Sequence, residues 1–178
     1  LSLERIVALK VLAPHLVTDA EDLSRFQLES KAAANLKHSS IVQVYDAGES
    51  NGHYYFAMAF SEGTNVAEWM AEAGRIPEKA TLLVAAAVAG ALEYAWEKAR
   101  IIHRDIKPSN IMIANKDKVK VMDFGLAAEV RSSMCRVSQE KFDTSGTRPY
   151  MAPEQWSGDE QAGATDQYSL AVMFYELI

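Results

Sequence analysis

Three short motifs that carry acidic and amide side chains follow one another in the second half of the chain. Residues 103–110 read His-Arg-Asp-Ile-Lys-Pro-Ser-Asn, residues 123–125 read Asp-Phe-Gly, and residues 152–154 read Ala-Pro-Glu. The carboxylate and amide oxygens of the first two motifs are hard donors, which suit Mg²⁺ and suit Zn²⁺ poorly. The motifs therefore offer oxygen donors of the kind that Mg²⁺ prefers.

The three motifs, in this order, resemble the catalytic loop, the metal-binding loop and the end of the activation segment of protein kinases. The sequence is most similar to the eukaryotic-type serine/threonine kinases of bacteria, and the similarity covers nearly the whole chain. This resemblance implies an α+β, protein-kinase-like fold with two lobes. It also implies ATP and Mg²⁺ as cofactors, and transfer of the γ-phosphate of ATP to Ser or Thr hydroxyls of protein substrates.

The resemblance gives Asp105 the role of the base that orients the substrate hydroxyl and accepts its proton. Asn110 and Asp123 match the two Mg²⁺ ligands. Lys107 and Thr147 match the positions that distinguish serine/threonine kinases from tyrosine kinases. The cationic Lys107 can also stabilise the transferring phosphoryl group. The implied catalytic residues are therefore Asp105, Lys107 and Thr147.

Two upstream residues match the ion pair that holds the nucleotide phosphates. Lys10 ends the sequence Val-Ala-Leu-Lys, which is similar to the kinase pattern whose Lys contacts the α- and β-phosphates. Glu29 matches the helical Glu that pairs with this Lys. Glu21 and Asp22 are the nearest alternatives, but they lie in the first turn of the predicted helix, where interaction with the helix dipole explains them better.

The resemblance also implies where the base and ribose of the nucleotide bind. Residues 58–61 match the gatekeeper and the hinge, whose backbone amide and carbonyl groups hydrogen-bond adenine. Ala8 and Met112 match the residues on the two faces of the ring, and Asn65 lies near the ribose-binding position. Each side chain is equally explained as part of the core or as a helix cap. The implied contacts are Ala8, Met58, Ala59, Phe60, Ser61, Asn65 and Met112.

Arg104 precedes the predicted base, and in similar kinases this residue binds a phosphate on the activation loop and so orders it. Asp143 lies near the usual phosphorylation site, so it either mimics a phosphate or is a solvated loop carboxylate. Self-association for autophosphorylation is a further implication of the resemblance. The candidate phosphate acceptors are Ser132, Ser133, Ser138, Thr144 and Ser145.

Three more residues match supporting positions of the family. His103 and Phe124 match two members of a packed hydrophobic spine. Asp166 matches the helical carboxylate that braces the backbone of the catalytic loop. Their expected role is packing and support of the site. The remaining histidines have no Cys or carboxylate cluster at ligand spacing, so no zinc site is predicted.

Hydrophobic periodicity, caps and turns predict the elements that position these residues. Strands are predicted at residues 6–12, 41–45, 54–60, 111–114 and 119–122, with a turn at residues 48–52. Helices are predicted at residues 18–37, after residues 64–65, at residues 77–98 with Pro77 in the first helical position, and at residues 166–178. Small residues at positions 85–91 predict close packing of the long helix, and residues 130–146 form a predicted loop.

This succession predicts a partial small lobe at residues 1–60, a hinge near residues 60–63 and a partial, mainly helical large lobe at residues 61–178. The 178 residues are 49% hydrophobic and 24% charged, which is typical of a soluble globular protein. The net charge of −6 argues against a nucleic-acid partner. No membrane segment is predicted, and the single Cys135 fits a reducing compartment, so we expect a cytoplasmic domain whose parent protein could be membrane-anchored.

The sequence also predicts a fragment of a longer kinase domain. No glycine-rich loop precedes Lys10, and the Arg that normally pairs with Glu154 belongs to a later helix. We therefore expect an open sheet edge near Lys10. We also expect an uncovered apolar helix face formed by Leu170, Val172, Met173 and Phe174.

Two alternative functions compete with the kinase. A pseudokinase that signals only by binding is disfavoured because Lys10, Glu29, Asp105, Asn110 and Asp123 are all present. A small-molecule phosphotransferase of related fold is disfavoured because such enzymes usually lack the Asp-Phe-Gly motif, the activation loop and the Ala-Pro-Glu motif. The sequence thus favours a protein serine/threonine kinase.

Overall fold

The computed structural model describes residues 5–11, 24, 28, 30–115, 117–124 and 148–178. Within them, a small antiparallel sheet precedes a second sheet and a mainly helical part, which confirms the expected α+β, two-lobe arrangement. Several residues singled out in the sequence lie outside the described ones. They are Glu21, Asp22, Glu29, Cys135, Asp143, Thr147 and the candidate phosphate acceptors Ser132, Ser133, Ser138, Thr144 and Ser145.

The first sheet consists of β1 (Val7–Val11), β2 (Val44–Ser50) and β3 (His53–Ala59) in the order β1-β3-β2. Both pairings are antiparallel, and the register sets Lys10 opposite Phe56. Strand β1 lies at an edge of this sheet, as expected, and Leu9 is 61% exposed there. The buried side of the sheet is formed by a cluster that includes Val44, Phe56 and Met58.

The hairpin between β2 and β3 is tighter than the sequence analysis predicted. Strand β2 begins at Val44 and continues through Ser50, which pairs with His53. Only Asn51 and Gly52 form the turn, with φ angles of 53° and 77°. An Asn-Gly pair adopts two such left-handed conformations readily, and the resulting turn matches the twist of the strands. The predicted turn at residues 48–52 and strand at residues 41–45 were therefore wrong in their boundaries.

The second sheet consists of β4 (Gly63–Asn65), β5 (Ile111–Ala114) and β6 (Lys118–Val121) in the order β4-β5-β6. Strand β4 was not predicted, because three residues are too few to show a periodicity. Its first residue approaches β5 so closely that a Cβ atom at Gly63 would lie 2.1 Å from the carbonyl oxygen of Ile113. Glycine is therefore required where the chain passes from the first sheet into the second.

The described helices after the first sheet are α1 (Val66–Ala73), α2 (Glu78–Ala99), α3 (Pro153–Ser157) and α4 (Gly163–Leu177). Short 3₁₀ turns occur at Pro108–Asn110 and Arg148–Tyr150. Residues 24, 28 and 30–34 are helical as well, within the predicted helix before β2. Pro77 is the N-cap of α2 and has an extended ψ of 135°, so the prediction that it occupies the first helical position was wrong by one residue.

Helix α2 is the central helix of the large lobe. Its buried residues are Thr81, Val84, Val88, Ala91 and Ala95, which form one stripe with the three- and four-residue spacing of a core-facing helix. Most of the stripe packs in a cluster to which α4, Ile111 of β5 and Val121 of β6 also contribute. By length and composition alone, α2 could also cross a membrane, a feature that the sequence analysis had not identified.

Two predictions about helix surfaces need correction. Gly90 was expected to allow close packing of α2, but a Cβ atom there would meet nothing within 4 Å. On α4, Met173 is fully buried, whereas Tyr175 is 85% exposed. The apolar side of α4 is covered by α2, because the helix turns its Met173 and Leu177 side into the core cluster. The prediction of an uncovered face was therefore wrong for Met173, while Leu170, Val172 and Phe174 are half-buried.

We expect Gly90→Ala to raise the free energy of unfolding by about 0.5–1 kcal/mol, because alanine restricts the unfolded chain and favours the helix. The site has room for the added methyl group. Urea unfolding of the variant, compared with the unchanged protein, measures the effect.

Gly52→Ala is the matched comparison, because its Cβ atom would also meet nothing within 4 Å. Its φ of 77° should make alanine destabilising by roughly 1–2 kcal/mol. If both variants changed the free energy of unfolding in the same direction, free space and not backbone conformation would govern both positions.

Candidate active site

The predicted base lies in a small network with two other residues of its own motif. The Nδ2 atom of Asn110 donates to the backbone oxygen and to Oδ2 of Asp105, each at 2.9 Å. The Lys107 ammonium lies 3.3 Å from the same Oδ2, and the side chains of Lys107 and Asp105 are only 14% and 11% exposed. The 3₁₀ turn holds this geometry, because the Asn110 amide donates to the Lys107 carbonyl at 2.9 Å.

The strand that leads to Asp123 is attached directly to this network. The Met122 amide donates to the Asn110 carbonyl at 2.9 Å, and Val121 pairs with Ile111 in β5. On its other side, Val121 forms a parallel bridge with Ile41. The end of β6 is therefore fixed from both sides, and the residue before Asp123 is hydrogen-bonded to Asn110, while their role as a pair of metal ligands stays a prediction.

Lys10 and Asp123 form an ion pair between the first sheet and the loop after β6. The Lys10 Nζ atom lies 2.7 Å from Asp123 Oδ2, with side chains 43% and 23% exposed. Asp123 has a φ of 62°, a left-handed conformation that costs a non-glycine residue energy. Such conformations persist where the surroundings impose them and are frequent at functional sites. The predicted partner of Lys10, Glu29, lies outside the described residues.

The donor atoms of this site fit a hard divalent cation. Both Nδ2 contacts of Asn110 go to Asp105, so the amide presents its Oδ1 atom on the opposite side, where it can accept or coordinate. Asp123 adds a carboxylate, and amide and carboxylate oxygens are ligands that Mg²⁺ accepts. Among the residues that the structure describes, no group of three or more His, Cys, Asp or Glu side chains is arranged to hold a metal.

A buried carboxylate on α4 holds the backbone before the predicted base. Asp166 accepts from the amides of His103 and Arg104, both at 2.6 Å. Burial raises the pKa of Asp166, although the nearby His103 ring, the two amide donors and the Arg104 charge act in the opposite direction. Arg104 has a φ of 66°, so Asp166 stabilises a strained residue. The prediction that Asp166 braces the catalytic loop is confirmed.

His103 and Phe124 pack against each other, as predicted. Both are buried, and their rings meet edge to face with centroids 4.7 Å apart. The Nε2 atom of His103 also lies 2.7 Å from the Met122 carbonyl oxygen. This contact connects the catalytic loop with the loop that carries Asp123 through a second route, independent of Asn110.

Helix α4 also holds the segment around the Ala-Pro-Glu motif, through residues that the sequence analysis missed. Thr165 Oγ1 donates to Glu154 Oε1 at 2.6 Å, and Ser169 Oγ donates to the Tyr150 carbonyl at 2.6 Å. Glu154 therefore has a partner within the chain. Thr165 and Ser169 are buried and lie four residues apart, so they share one face of α4. This spacing of two hydroxyl residues on an apolar helix was the signal in the sequence that could have predicted their role.

Tyr150 is held to α4 at its other end as well. Its hydroxyl donates to the carboxylate of Glu176. Burial, followed by this hydrogen bond, raises the pKa of Tyr150 well above its ordinary value. The segment from residue 148 to Glu154 is thus attached to the same helix that braces the catalytic loop.

The residues predicted to contact the adenine base of the nucleotide are distributed over both sheets. Ala8 pairs with Met58, and Ala8, Met58 and Ala59 belong to the small-lobe cluster. Met112 lies in the second sheet, opposite Asn65 and Lys120. Phe60 and Ser61 lie in the chain between β3 and β4, and their role as a hinge that binds adenine stays a prediction.

Two of the predicted nucleotide contacts already have partners in the fold. The Ala59 amide donates to the Gln43 carbonyl at 2.9 Å. Asn65 caps α1, because its side chain accepts from the Glu68 amide while its own amide donates to Glu68 Oε2 at 3.0 Å. The geometry favours the helix-cap interpretation of Asn65, and a ribose contact stays a prediction.

The fold and the site define a protein kinase domain. A family model for this domain matches residues 2–178. The chain therefore belongs to the protein kinase domain family, which confirms the resemblance seen in the motifs.

Relatives within the family are bacterial serine/threonine kinases. The chain is 36% identical over 176 residues to the serine/threonine-protein kinase PknL of Mycobacterium tuberculosis, covering 99% of this chain and 43% of PknL. It is 39% identical over 182 residues to PknF of the same organism, covering 99% of this chain and 38% of PknF. The chain thus spans less than half the length of these curated relatives.

A solved structure agrees with these relationships. The crystal structure of the Mycobacterium tuberculosis PknI kinase domain matches with a TM-score of 0.79 at 33% sequence identity. The match covers 96% of this chain and 62% of the PknI chain.

We expect Asp166→Asn to lower the free energy of unfolding by about 1–3 kcal/mol, because one buried amide of the His103–Arg104 pair then faces an NH₂ group instead of an acceptor. Thermal and urea unfolding of the purified variant measure this loss.

Asp159→Asn is the control, because Asp159 is exposed and, within the described residues, its carboxylate accepts a hydrogen bond only from Ser157 Oγ. Its effect should stay within about 0.5 kcal/mol. Equal effects of the two variants would contradict a bracing role for Asp166.

Proposed function

We propose that the protein is an ATP-dependent serine/threonine kinase that transfers the γ-phosphoryl group of ATP to hydroxyl groups of protein substrates. The observation that carries this proposal is the network of Asp105, Lys107 and Asn110, with Asp123 attached to it through the Met122–Asn110 hydrogen bond. Membership of the protein kinase domain family supports the same conclusion.

Asp105 is proposed to orient the substrate hydroxyl and to accept its proton. The side chain is largely buried, and Asn110 and Lys107 both hold Oδ2, so its orientation is set before a substrate binds. Lys107 lies beside the carboxylate, where its positive charge can stabilise negative charge on the transferring phosphoryl group. Thr147 is proposed to join them, in agreement with serine/threonine specificity.

Asn110 and Asp123 are proposed to hold Mg²⁺, and Lys10 to bind the nucleotide phosphates with Glu29 as its partner. Bound ATP and Mg²⁺ supply the phosphoryl group and a cation that offsets its charge. Lys10 and Asp123 neutralise each other in this structure. Because both side chains are partly exposed, their ion pair is weak enough to be exchanged for other partners.

The substrate class and the cellular setting follow from the same proposal. We propose protein substrates with Ser or Thr acceptors, a cytoplasmic kinase domain, and regulation by a phosphate between Ser132 and Ser145 that Arg104 binds. The adenine base of ATP is proposed to contact Ala8, Met112 and the backbone of residues 58–61. A scaffold that binds ATP without transferring phosphate is the competing function.

In the full-length protein, incubation with labelled ATP and Mg²⁺ should produce phosphoserine and phosphothreonine. Asp105→Asn should lower turnover about 10²-fold or more, because a positioned base contributes roughly 10²–10⁴-fold. Phosphoamino-acid analysis and initial rates measure both effects. Mainly phosphotyrosine would contradict the proposed specificity.

Asp123→Asn provides the comparison in the same assay. It should weaken Mg²⁺-dependent nucleotide binding, whereas Asp105→Asn should leave nucleotide binding nearly unchanged. Calorimetric titration with ATP and Mg²⁺ separates the two variants. Nucleotide binding without any phosphoryl transfer by the unchanged protein would favour the scaffold.

A further inference from the structure

Gln155 connects the segment after the Ala-Pro-Glu motif with the catalytic loop. It lies in α3 and is only 8% exposed. Its Oε1 atom accepts from the Ala152 amide at 2.9 Å, and its Nε2 atom donates to the Arg104 carbonyl at 3.0 Å. The two partners are 48 residues apart in sequence (152 minus 104), so one side chain bridges two distant parts of the chain.

The Arg104 carbonyl belongs to the peptide group that leads into Asp105. The amide of that same peptide group donates to His103 Nδ1 at 3.2 Å. Gln155 and His103 therefore hold the carbonyl and the amide of the same peptide group. The orientation of this peptide group determines where the backbone places Asp105.

The preceding peptide group is held from the other side. The Arg104 amide donates to Asp166 Oδ1 at 2.6 Å, so both peptide groups of Arg104 are tied to side chains. Arg104 has a φ of 66°, a left-handed conformation that is strained for a non-glycine residue. Several hydrogen bonds must act together to maintain it.

We infer that Gln155 is a positioning residue for phosphoryl transfer, which fixes the peptide before Asp105 and couples it to the segment that contains the Ala-Pro-Glu motif. This inference rests on the proposed kinase function. Within the part of the chain that the structure describes, the side-chain hydrogen bonds of Gln155 go to Ala152 and Arg104, and not to the proposed base or a proposed metal ligand. Its effect must therefore pass through the Arg104 backbone.

The two hydrogen bonds of Gln155 allow a local capping role to be separated from the positioning role. Gln155→Glu keeps an acceptor for the Ala152 amide but replaces the donor to Arg104 with a carboxylate oxygen. Gln155→Met removes both hydrogen bonds while keeping a side chain of similar length. A residue that only caps α3 would tolerate Gln155→Glu, whereas a residue that positions the loop would not.

Steady-state kinetics of the full-length protein with ATP, Mg²⁺ and a Ser/Thr acceptor protein test the inference. Both variants should lower kcat roughly 10- to 100-fold, because a small displacement of a catalytic group has effects of that order. The KM for ATP should stay unchanged, since no nucleotide contact is altered. Ser157→Ala is the control in the same helix, because the Ser157 hydroxyl contacts only its own helix and Asp159 in the described bonds.

An unchanged kcat in Gln155→Glu would show that Gln155 only caps α3, and would overturn the inference. An unchanged kcat in Gln155→Met would overturn it as well. Should Gln155→Glu fail to melt cooperatively, Gln155→Met decides alone, since it introduces no buried charge. Phosphoryl transfer by the unchanged protein distinguishes these failures from failure of the kinase function itself. An inactive unchanged protein would overturn the proposed function and, with it, the role of Gln155.

Discussion

The two hydrogen bonds from the His103 and Arg104 amides to the Asp166 carboxylate are the constraint on which the site depends. A carboxylate that is mostly buried is stable only with such donors, and the strained backbone at Arg104 persists only with such an acceptor. Each side of the interaction therefore requires the other. Helix α4 supplies a rigid base for it, because Met173 and Leu177 anchor the helix in the core cluster.

A series of hydrogen bonds connects the loop that Asp166 holds with the other residues of the site. The catalytic loop continues into the 3₁₀ turn, where Asn110 returns to Asp105. Asn110 then holds the Met122 amide, which fixes the chain just before Asp123. The Lys10–Asp123 ion pair extends the chain of contacts to the first sheet. The lobes are thus linked through a pair of charged side chains, while Asp105 itself is held by the Asn110 side-chain amide and the Lys107 ammonium.

Sequence reasoning succeeded where chemistry demands particular residues in a particular order. Asp105, Lys107 and Asn110 were singled out within one motif, and they contact one another. Predictions from the sequence failed where the result depends on which residues become neighbours in the folded structure. The open space at Gly90 is not visible in a stripe of small residues, and the partner of Glu154 comes from Thr165 on another helix. The Asn51–Gly52 turn could have been predicted, since an Asn-Gly pair is a strong hairpin signal.

Amide hydrogen exchange at His103 and Arg104, followed residue by residue by NMR, tests the central claim most directly. If Asp166 holds these amides as the structure shows, they exchange only when the core opens, as slowly as the amide of Met173 in α4. Exchange as fast as that of the exposed Asn51–Gly52 turn would contradict the claim, because it would show that the catalytic loop moves independently of the helix.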